Sequence, residues 1–171
     1  MKAKGALGVA YGVTAVALAT DLISKYLVIQ DLDGHAPIDV IGSLVKFTYV
    51  RNAGAAFGAG TSLTPVITVI ALVAALVTIR FITRAREGLW AFALGLLLAG
   101  VLGNLADRLF RDPGPFRGHV VDFIQLPHYA VFNVADMCIN VAAVLIVIQL
   151  IRGVRLDGSR SGDQQDATMN P

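Results

Sequence analysis

Four long apolar stretches divide the chain, and its polar residues gather between them. The stretches cover about 6–28, 64–82, 89–109 and 131–151. Each is close to the roughly 20 apolar residues that an α-helix needs to cross about 30 Å of hydrocarbon. The pattern therefore predicts a membrane α-helical fold with four transmembrane helices.

The first long connection, about residues 30–63, has the pattern of short strands. Val45, Phe47 and Tyr49 alternate with more polar neighbours before a glycine-rich run, as half-buried strands closing on a turn do. After the third span, prolines break the chain, and HVVDFIQL (119–126) again alternates apolar and polar residues. We expect both segments to contribute to a small, cradle-like β-sheet on the outer membrane face.

Composition agrees with one small integral membrane unit. The 171 residues are 56% hydrophobic and 15% charged, with a net charge of +2, which is too apolar for an ordinary soluble domain and too weakly basic to imply nucleic acid. We predict a single membrane domain over 1–152. The segment 153–171 lacks apolar periodicity and is expected to be a disordered cytoplasmic tail.

Basic residues set the expected orientation. Four spans put both termini on one side, where eight Lys and Arg residues would lie, against six on the other side. Since the side richer in Lys and Arg is cytoplasmic, we expect both termini in the cytoplasm and both long connections outside. The first stretch also has features of a secretory signal, but the polar residues at its end favour an uncleaved anchor.

Three of the predicted helices carry polar residues at their outer ends, spaced so that each set shares a helical face. The sets are Asp21 with Lys25, Asn104 with Asp107 and Arg108, and Asn133 with Asp136 and Asn140. They predict a polar pocket in one membrane leaflet. Within it, we expect structural ion pairs of Asp21 with Lys25 and of Asp107 with Arg108.

Asp122 and Asp136 differ from the other acids because neither has a Lys or Arg within one helical turn along the chain. An acid at the centre of a membrane helix costs about 2.5–3.5 kcal/mol on insertion scales and needs a partner. If the extended segment with Asp122 folds onto the start of the fourth helix, the two carboxyls can share a proton, one as base and the other as acid. Such a pair is sufficient for metal-free peptide hydrolysis.

Five motifs, taken in order, resemble one family. They are DLISKYLV from Asp21, VRNAGAAFG from Val50, GVLGNLADR from Gly100, GHVVDFI from Gly118 and FNVADMCIN from Phe132. Together they resemble the conserved boxes of bacterial lipoprotein signal peptidase, signal peptidase II, over nearly all of the chain from the first motif to the end of the last span. That family usually has Gln after the first Asp. Leu22 stands there instead, which weakens any polar role at this position.

The resemblance implies an intramembrane aspartic endopeptidase that removes signal peptides from diacylglyceryl-modified prolipoproteins by cleaving before the lipidated Cys. It implies Asp122 and Asp136 as the catalytic dyad, without a metal or other cofactor. Substrate-binding or supporting roles are implied for Asn52, Gly54, Asn104, Arg108, Asn133 and Asn140. Structural polar roles are implied for Asp21, Lys25 and Asp107.

The resemblance also implies a location and partners. The protein is expected in the bacterial cytoplasmic membrane as a multi-pass protein, with its active site near the outer face. Its expected partners are the lipid-modified prolipoprotein, membrane lipids and, as in the family, globomycin-type cyclic peptide inhibitors.

A metalloprotease is the nearest enzymatic alternative, because His119 and Asp122 are three residues apart and His128 follows. Their spacing does not match the helical HExxH pattern, and the neighbouring Gly and Pro disfavour a rigid set of ligands.

Cys138 is a second candidate for chemistry. A single Cys inside a helix, without a nearby His, is more often a small buried hydrophobic residue than a nucleophile.

A small transporter or proton channel is the non-enzymatic alternative, in which Asp21, Asp107 and Asp136 would line a path. That function requires polar groups throughout the bilayer. The inner halves of the four predicted spans are apolar, so the sequence disfavours it.

Overall fold

The computed structural model describes residues 3–54 and 63–160. In order along the chain, the elements are α1 (Ala3–Leu32), β1 (Ile38–Ile41), β2 (Val45–Asn52), α2 (Thr64–Ile82), α3 (Gly88–Phe110), β3 (Val120–Gln125) and α4 (Val134–Ile151). All four helices are long and apolar enough to span a membrane. The predicted fold class, four membrane helices with a small sheet, is confirmed.

The helix bounds agree with the apolar stretches to within about one helical turn. α1 continues to Leu32, about one turn beyond its predicted end. α4 begins at Val134 because Asn133 caps it: the Asn133 side chain accepts from the backbone N–H of Asp136, and the Asp136 side chain accepts from that of Asn133. This reciprocal pair, a capping box, fixes where the helix starts.

α3 is the central helix and packs against α1, α2 and α4. Its contact with α4 depends on Gly100, because a Cβ added there would overlap the backbone carbonyl oxygen of Ala135. The two helices can therefore approach closely only where α3 lacks a side chain. This close approach brings the polar end of α3 beside the first turn of α4.

The three strands form one antiparallel sheet in the order β1-β2-β3. In β2 and β3, Val50 pairs with Asp122 and Asn52 pairs with Val120. The sheet packs on the end of α1 through a buried cluster of Val28, Leu32, Val121 and Phe123. It therefore covers the end of the bundle where α1 and α3 finish and α4 begins.

The tail prediction needs a correction at its start. Residues 153–160 pack against the α2–α3 connection: Trp90 Nε1 donates to the carbonyl oxygen of Val154 (2.9 Å), and the backbone N–H of Arg86 donates to that of Leu156 (2.7 Å). Val154 is buried. These contacts join parts of the chain that are distant in sequence, so the local composition of residues 153–160 could not predict them. Residues 161–171, and the glycine-rich turn expected after Gly54, lie outside the described residues.

Candidate active site

Asp122 and Asp136 are brought together by a short chain reversal. Asp122 lies in β3 and Asp136 in the first turn of α4. Between them, Phe132 pairs with Ile124: each backbone N–H donates to the other residue's carbonyl oxygen, at 3.0 and 2.8 Å. Because side chains alternate along a strand, Asp122 points away from the face on which Val121 packs against α1.

Asn133 connects the two carboxyls. Its Nδ2 donates to Asp122 Oδ1 (2.6 Å), and its backbone N–H donates to Asp136 Oδ2 (3.2 Å). Its own Oδ1 accepts from the backbone N–H of Asp136 (3.0 Å). Asn133 is fully buried. One residue therefore holds both acids and caps the helix that carries one of them.

Asn52 holds the other oxygen of Asp122. Its Nδ2 donates to Asp122 Oδ2 (2.8 Å), while its Oδ1 accepts from the backbone N–H of Gly54 (2.8 Å). Gly54 has a φ of 95°, a conformation that strongly favours glycine. A Cβ there would also lie 2.8 Å from Ile67 Cδ1. The predicted Asn-x-Gly pair is thus brought to the site, with the Gly shaping the turn behind the Asn.

Asn104 holds the other oxygen of Asp136. Its Nδ2 donates to Asp136 Oδ1 (2.8 Å), and its Oδ1 accepts from Asn133 Nδ2 (3.2 Å) and Lys25 Nζ (3.3 Å). Asn104 thus joins helices α1, α3 and α4 at one point. Its supporting role at the site stays a prediction.

The ion pairs beside Asn104 agree with one of the two predicted pairs and correct the other. Lys25 Nζ lies 2.7 Å from Asp21 Oδ2, as expected. Asp107 does not pair with Arg108; it pairs with Lys25 (2.8 Å) and with Arg111. Adjacent helical residues point in different directions, whereas residues four apart share a face. The spacing of Asp107 and Arg111 is therefore the one that forms the pair.

Arg108 is buried and points toward the site instead. Its Nη1 donates to the backbone carbonyl oxygen of Asn104 (3.3 Å), and its buried Nε has no hydrogen-bond partner among residues 3–54 and 63–160. A Cβ added to Gly54 would lie 3.8 Å from its Nη2. A guanidinium has five N–H donors, so Arg108 retains donors for another molecule.

The two carboxyls sit in different surroundings. Burial raises the pKa of Asp122 to about 6, and the charge of Asp136 raises it too, although hydrogen bonds from Asn52 and Asn133 lower it. Asp136 occupies the first turn of α4, where the positive end of a helix favours a negative charge. Asp122 is therefore more readily protonated than an ordinary carboxyl, while Asp136 lies at a helix N-terminus.

Both carboxyls line one cavity of about 680 Å³. Asn52 and Asn140 add polar groups to it, and the rest of the lining is apolar: Leu126, Tyr129, Ala130, Val131, Phe132, Met137, Ile139 and Val141. The motifs did not indicate this apolar wall. The sequence signal that could have indicated it is the pair of aromatic residues just before the fourth helix, Tyr129 and Phe132. In the structure their rings stack edge to face with centroids 5.8 Å apart.

α2 also contributes in a way that the sequence did not reveal. Thr64 Oγ1 donates to the carbonyl oxygen of Ala53, and Thr68 Oγ1 to that of Phe116 (3.1 Å). Both threonines are buried. Hydroxyls in membrane helices usually bond to their own backbone, so only the fold identifies Thr64 as a support for the segment that carries Asn52.

Across residues 3–54 and 63–160, no three His, Cys, Asp or Glu side chains gather as metal ligands. His128 lies in the turn before α4 with a φ of 59°. Cys138 is a buried free cysteine on α4, in line with its interpretation as a hydrophobic residue.

Comparisons with known proteins agree with one another. A family model described as Signal peptidase (SPase) II matches residues 13–152. A lipoprotein signal peptidase of Streptomyces coelicolor is 48% identical over 92% of this chain and 78% of its own length. Another, of Mycobacterium tuberculosis, is 42% identical over 88% of this chain and 76% of its own length.

Two solved structures of bacterial membrane enzymes share the fold. One, at 1.9 Å resolution, has a TM-score of 0.74 and 26% identity, and the match covers 85% of this chain and 94% of the other. The second, at 2.3 Å, has a TM-score of 0.72 and 26% identity, and covers 84% and 88% of the two chains.

Proposed function

The chain belongs to the signal peptidase II family, multi-pass membrane proteases that remove signal peptides from prolipoproteins, and on this premise we propose that Asp122 and Asp136 catalyse the hydrolysis. The observation that carries the assignment is the link through Asn133. This buried residue donates to Asp122 Oδ1 through its side chain and to Asp136 Oδ2 through its backbone. Two acids held by one residue at the rim of one cavity have the placement that a catalytic dyad needs.

The surroundings of the acids support distinct roles. Asp136 accepts from Asn104 Nδ2 and the Asn133 backbone N–H at a helix N-terminus, which stabilises its carboxylate and suits it as the general base. Asp122, with its pKa raised to about 6 mainly by burial, is the general acid. A carboxyl whose pKa is raised by burial can donate a proton while a nearby carboxylate acts as the base.

The reaction proceeds in two steps. As a water oxygen attacks the scissile carbonyl carbon, Asp136 accepts the proton that the water loses and Asp122 donates its proton to the carbonyl oxygen. The C–N bond then breaks: the departing amine takes the proton from Asp136, and Asp122 recovers a proton from the hydroxyl of the intermediate. Both acids return to their starting states, so no other acid or base is needed.

The cavity lining suits a lipid-modified prolipoprotein that is cleaved before its lipidated Cys. Its apolar wall, which includes Phe132 and Met137, can accept acyl chains or the apolar part of a signal peptide. Arg108, whose buried Nε has no partner in the described part of the chain, can donate to a substrate carbonyl, and Asn52 and Asn140 offer further polar contacts. The same lining would accommodate globomycin-type cyclic peptides.

Charge supports a location in the bacterial cytoplasmic membrane with both termini in the cytoplasm. Arg80, Arg84, Arg86, Arg152 and Arg155 lie at the end of the bundle opposite the two acids, and the side richer in Arg is cytoplasmic. The site would then lie near the outer face, with lipids around a single membrane domain of residues 1–152. A cysteine-accessibility assay tests this orientation. A membrane-impermeant reagent added from outside should label Leu44→Cys and leave Arg84→Cys unlabelled, and the reverse pattern would overturn the proposal.

Replacement of each acid by Asn tests the dyad. Purified Asp122→Asn and Asp136→Asn variants, reconstituted in liposomes, are compared with the unmodified protein in cleavage of a diacylglyceryl-modified precursor. We expect turnover to fall by at least about a thousandfold in each, because each removes a proton-transfer group worth about 10²–10⁴ in rate and the two act as a unit. Asp39→Asn is the control, since Asp39 pairs with Lys46 at the exposed edge of the sheet. Full turnover in either dyad variant would rule out the assignment.

A further inference from the structure

Lys25 is fully buried and surrounded by three acceptors. Its Nζ lies 2.7 Å from Asp21 Oδ2, 2.8 Å from Asp107 Oδ2 and 3.3 Å from Asn104 Oδ1. The two carboxylate contacts are ion pairs, and the contact with Asn104 is a hydrogen bond. The position of the ammonium group is therefore set by α1 and α3 together.

Each of the two carboxylates that bind Lys25 also accepts a hydrogen bond from a backbone N–H next to one of the catalytic acids. Asp21 Oδ1 accepts from the N–H of Ala135 (2.8 Å), and Asp107 Oδ2 accepts from that of Val121 (3.3 Å). Ala135 immediately precedes Asp136, and Val121 immediately precedes Asp122. The same lysine thus connects to the main chain of both acids, one in α4 and one in β3.

The third acceptor determines which way the amide of Asn104 faces. Asn104 Oδ1 accepts from both Lys25 Nζ and Asn133 Nδ2. Its oxygen is therefore held on their side, and its Nδ2 faces Asp136 Oδ1 at 2.8 Å. If the amide turned over, an oxygen would face the Asp136 carboxylate and a nitrogen would face two donors, and both contacts would be lost.

We propose that Lys25 is a positioning residue for hydrolysis: its ammonium group sets the orientation of the Asn104 amide and, through Asp21 and Asp107, the main chain before both catalytic acids. The proposal rests on the assignment of Asp122 and Asp136 made above. A role limited to balancing buried charge is the alternative. Asp21 and Asp107 are nearly inaccessible, at 1% and 2% exposed, and would be costly to bury without a cation.

A neutral triple variant, Asp21→Asn, Lys25→Met and Asp107→Asn, separates the two roles. It removes the three charges of the cluster together, and Arg111, which loses its partner Asp107, is 30% exposed. Each Asn oxygen can still accept from the backbone N–H of Ala135 or Val121. Buried ion clusters can often be replaced by neutral groups without loss of stability, so we expect a folded protein with a melting temperature close to the original. Without the ammonium, Asn133 Nδ2 is the one described donor left to the Asn104 oxygen, so the amide is held less firmly.

We expect kcat of the triple variant to fall about a hundredfold, because displacement of catalytic groups by about 1 Å has effects of that size. KM should stay within about threefold, because the cavity wall is unchanged. A kcat within about twofold of the original would show that Lys25 only balances charge and would overturn the proposal. A raised KM with an unchanged kcat would overturn it too.

Thr14→Val is the matched control. Thr14 lies in the same α1–α3 contact and donates to the carbonyl oxygen of Gly95 (3.0 Å), far along the helix from the acids. Its kcat and KM should stay close to those of the unmodified protein, which shows that loosening this contact alone does not slow turnover. If kcat of Thr14→Val fell as much as that of the triple variant, the result would count against the positioning role of Lys25.

Two further measurements keep the test decisive. Asn104→Leu, alone and combined with the triple variant, should lower kcat by amounts that do not multiply, because Lys25 acts partly through Asn104; fully multiplicative losses would contradict this. If the triple variant does not fold, Lys25→Arg keeps the charge but not the geometry of three donors. It should lower kcat at constant KM, and an unchanged kcat would overturn the proposal.

The same assay distinguishes failure of this proposal from failure of the dyad. If Asp122→Asn and Asp136→Asn abolish turnover while the triple variant retains it, only the role of Lys25 is wrong. If the Asn variants of the two acids retain turnover, the assignment of the acids is wrong.

Discussion

Gly103 of α3 lies directly against the carboxylate of Asp21 in α1. A Cβ at this position would overlap Asp21 Oδ2 and lie 3.1 Å from the Cβ of Ala135 in α4. Asp21 in turn binds Lys25 and the backbone N–H of Ala135. The missing side chain at Gly103 is therefore what allows three helices to meet around one ion pair.

Gly103→Ala should consequently destabilise the protein. An added methyl in a tightly packed site typically costs about 1–3 kcal/mol, which outweighs the higher helix propensity of Ala. The free energy of unfolding in mixed micelles measures the effect. Gly12→Ala is the control, because a Cβ at Gly12 has no neighbour within 4 Å. We expect that variant to be as stable as the original or slightly more so, and equal losses in both would contradict the packing explanation.

The pH dependence of kcat/KM should reflect Asp122. In its proposed role as the general acid it must be protonated, and the protonated fraction falls as pH rises through its pKa of about 6. Activity should therefore decline above about pH 6, approaching tenfold per pH unit, since kcat/KM follows ionisation in the free enzyme. A profile that rises through this range would reverse the roles of the two acids.

Replacement of Asn52 is a second test of the ionisation of Asp122. Its hydrogen bond to Asp122 Oδ2 lowers the pKa of that carboxyl. Asn52→Leu removes this bond, so the pKa of Asp122 should rise and the alkaline decline of kcat/KM should move to higher pH. Asn140→Leu is the comparison, because Asn140 lines the same cavity without a described bond to Asp122. A shift to lower pH in Asn52→Leu would contradict the prediction.

The polar pocket shows which parts of this protein follow from sequence. Hydropathy identified all four helices, and helical spacing put the Asn and Asp sets at one depth, because both signals are local. The partner of Asp107 was missed because it depends on how α1 packs against α3: Lys25 is 82 residues away in the chain, from 25 to 107. The apolar wall was missed because it combines the loop before α4 with residues of α4, and the loop is placed by the pairing of Phe132 with Ile124 of β3.

Thr64 offers a test of how the β2–α2 connection supports the site. Its hydroxyl donates to the carbonyl oxygen of Ala53, between Asn52 and Gly54. Thr64→Val removes this donor at nearly constant volume, and loss of such a bond costs about 0.5–1.5 kcal/mol. We expect lower stability and a KM raised a few-fold, because Asn52 is less well held. Thr20→Val is the matched control, since Thr20 is exposed and its described hydrogen bond is to Val16 of the same helix (2.9 Å). A similar rise of KM in this variant would contradict the support role.

The opposite end of the bundle should affect stability and leave turnover unchanged. Glu87 caps α3 by accepting from the backbone N–H of Trp90 (2.8 Å), and the same Oε2 accepts from Gln149 Nε2 of α4 (2.7 Å). Gln149 is only 1% exposed, so its amide depends on this partner. Glu87→Ala removes both bonds and should cost about 1–3 kcal/mol of unfolding free energy.

A double-mutant cycle with Gln149→Leu isolates the pair. If the two residues act through their shared bond, the combined variant should lose less stability than the sum of the single losses, with a coupling of about 0.5–3 kcal/mol. Purely additive losses would mean that Glu87 acts only as a helix cap. In every variant kcat and KM should stay near those of the original, because the dyad is held by Asn133, Asn104 and Asn52, all at the other end of the helices. A large fall in kcat in a variant that remains folded would show that the two ends of the bundle are coupled.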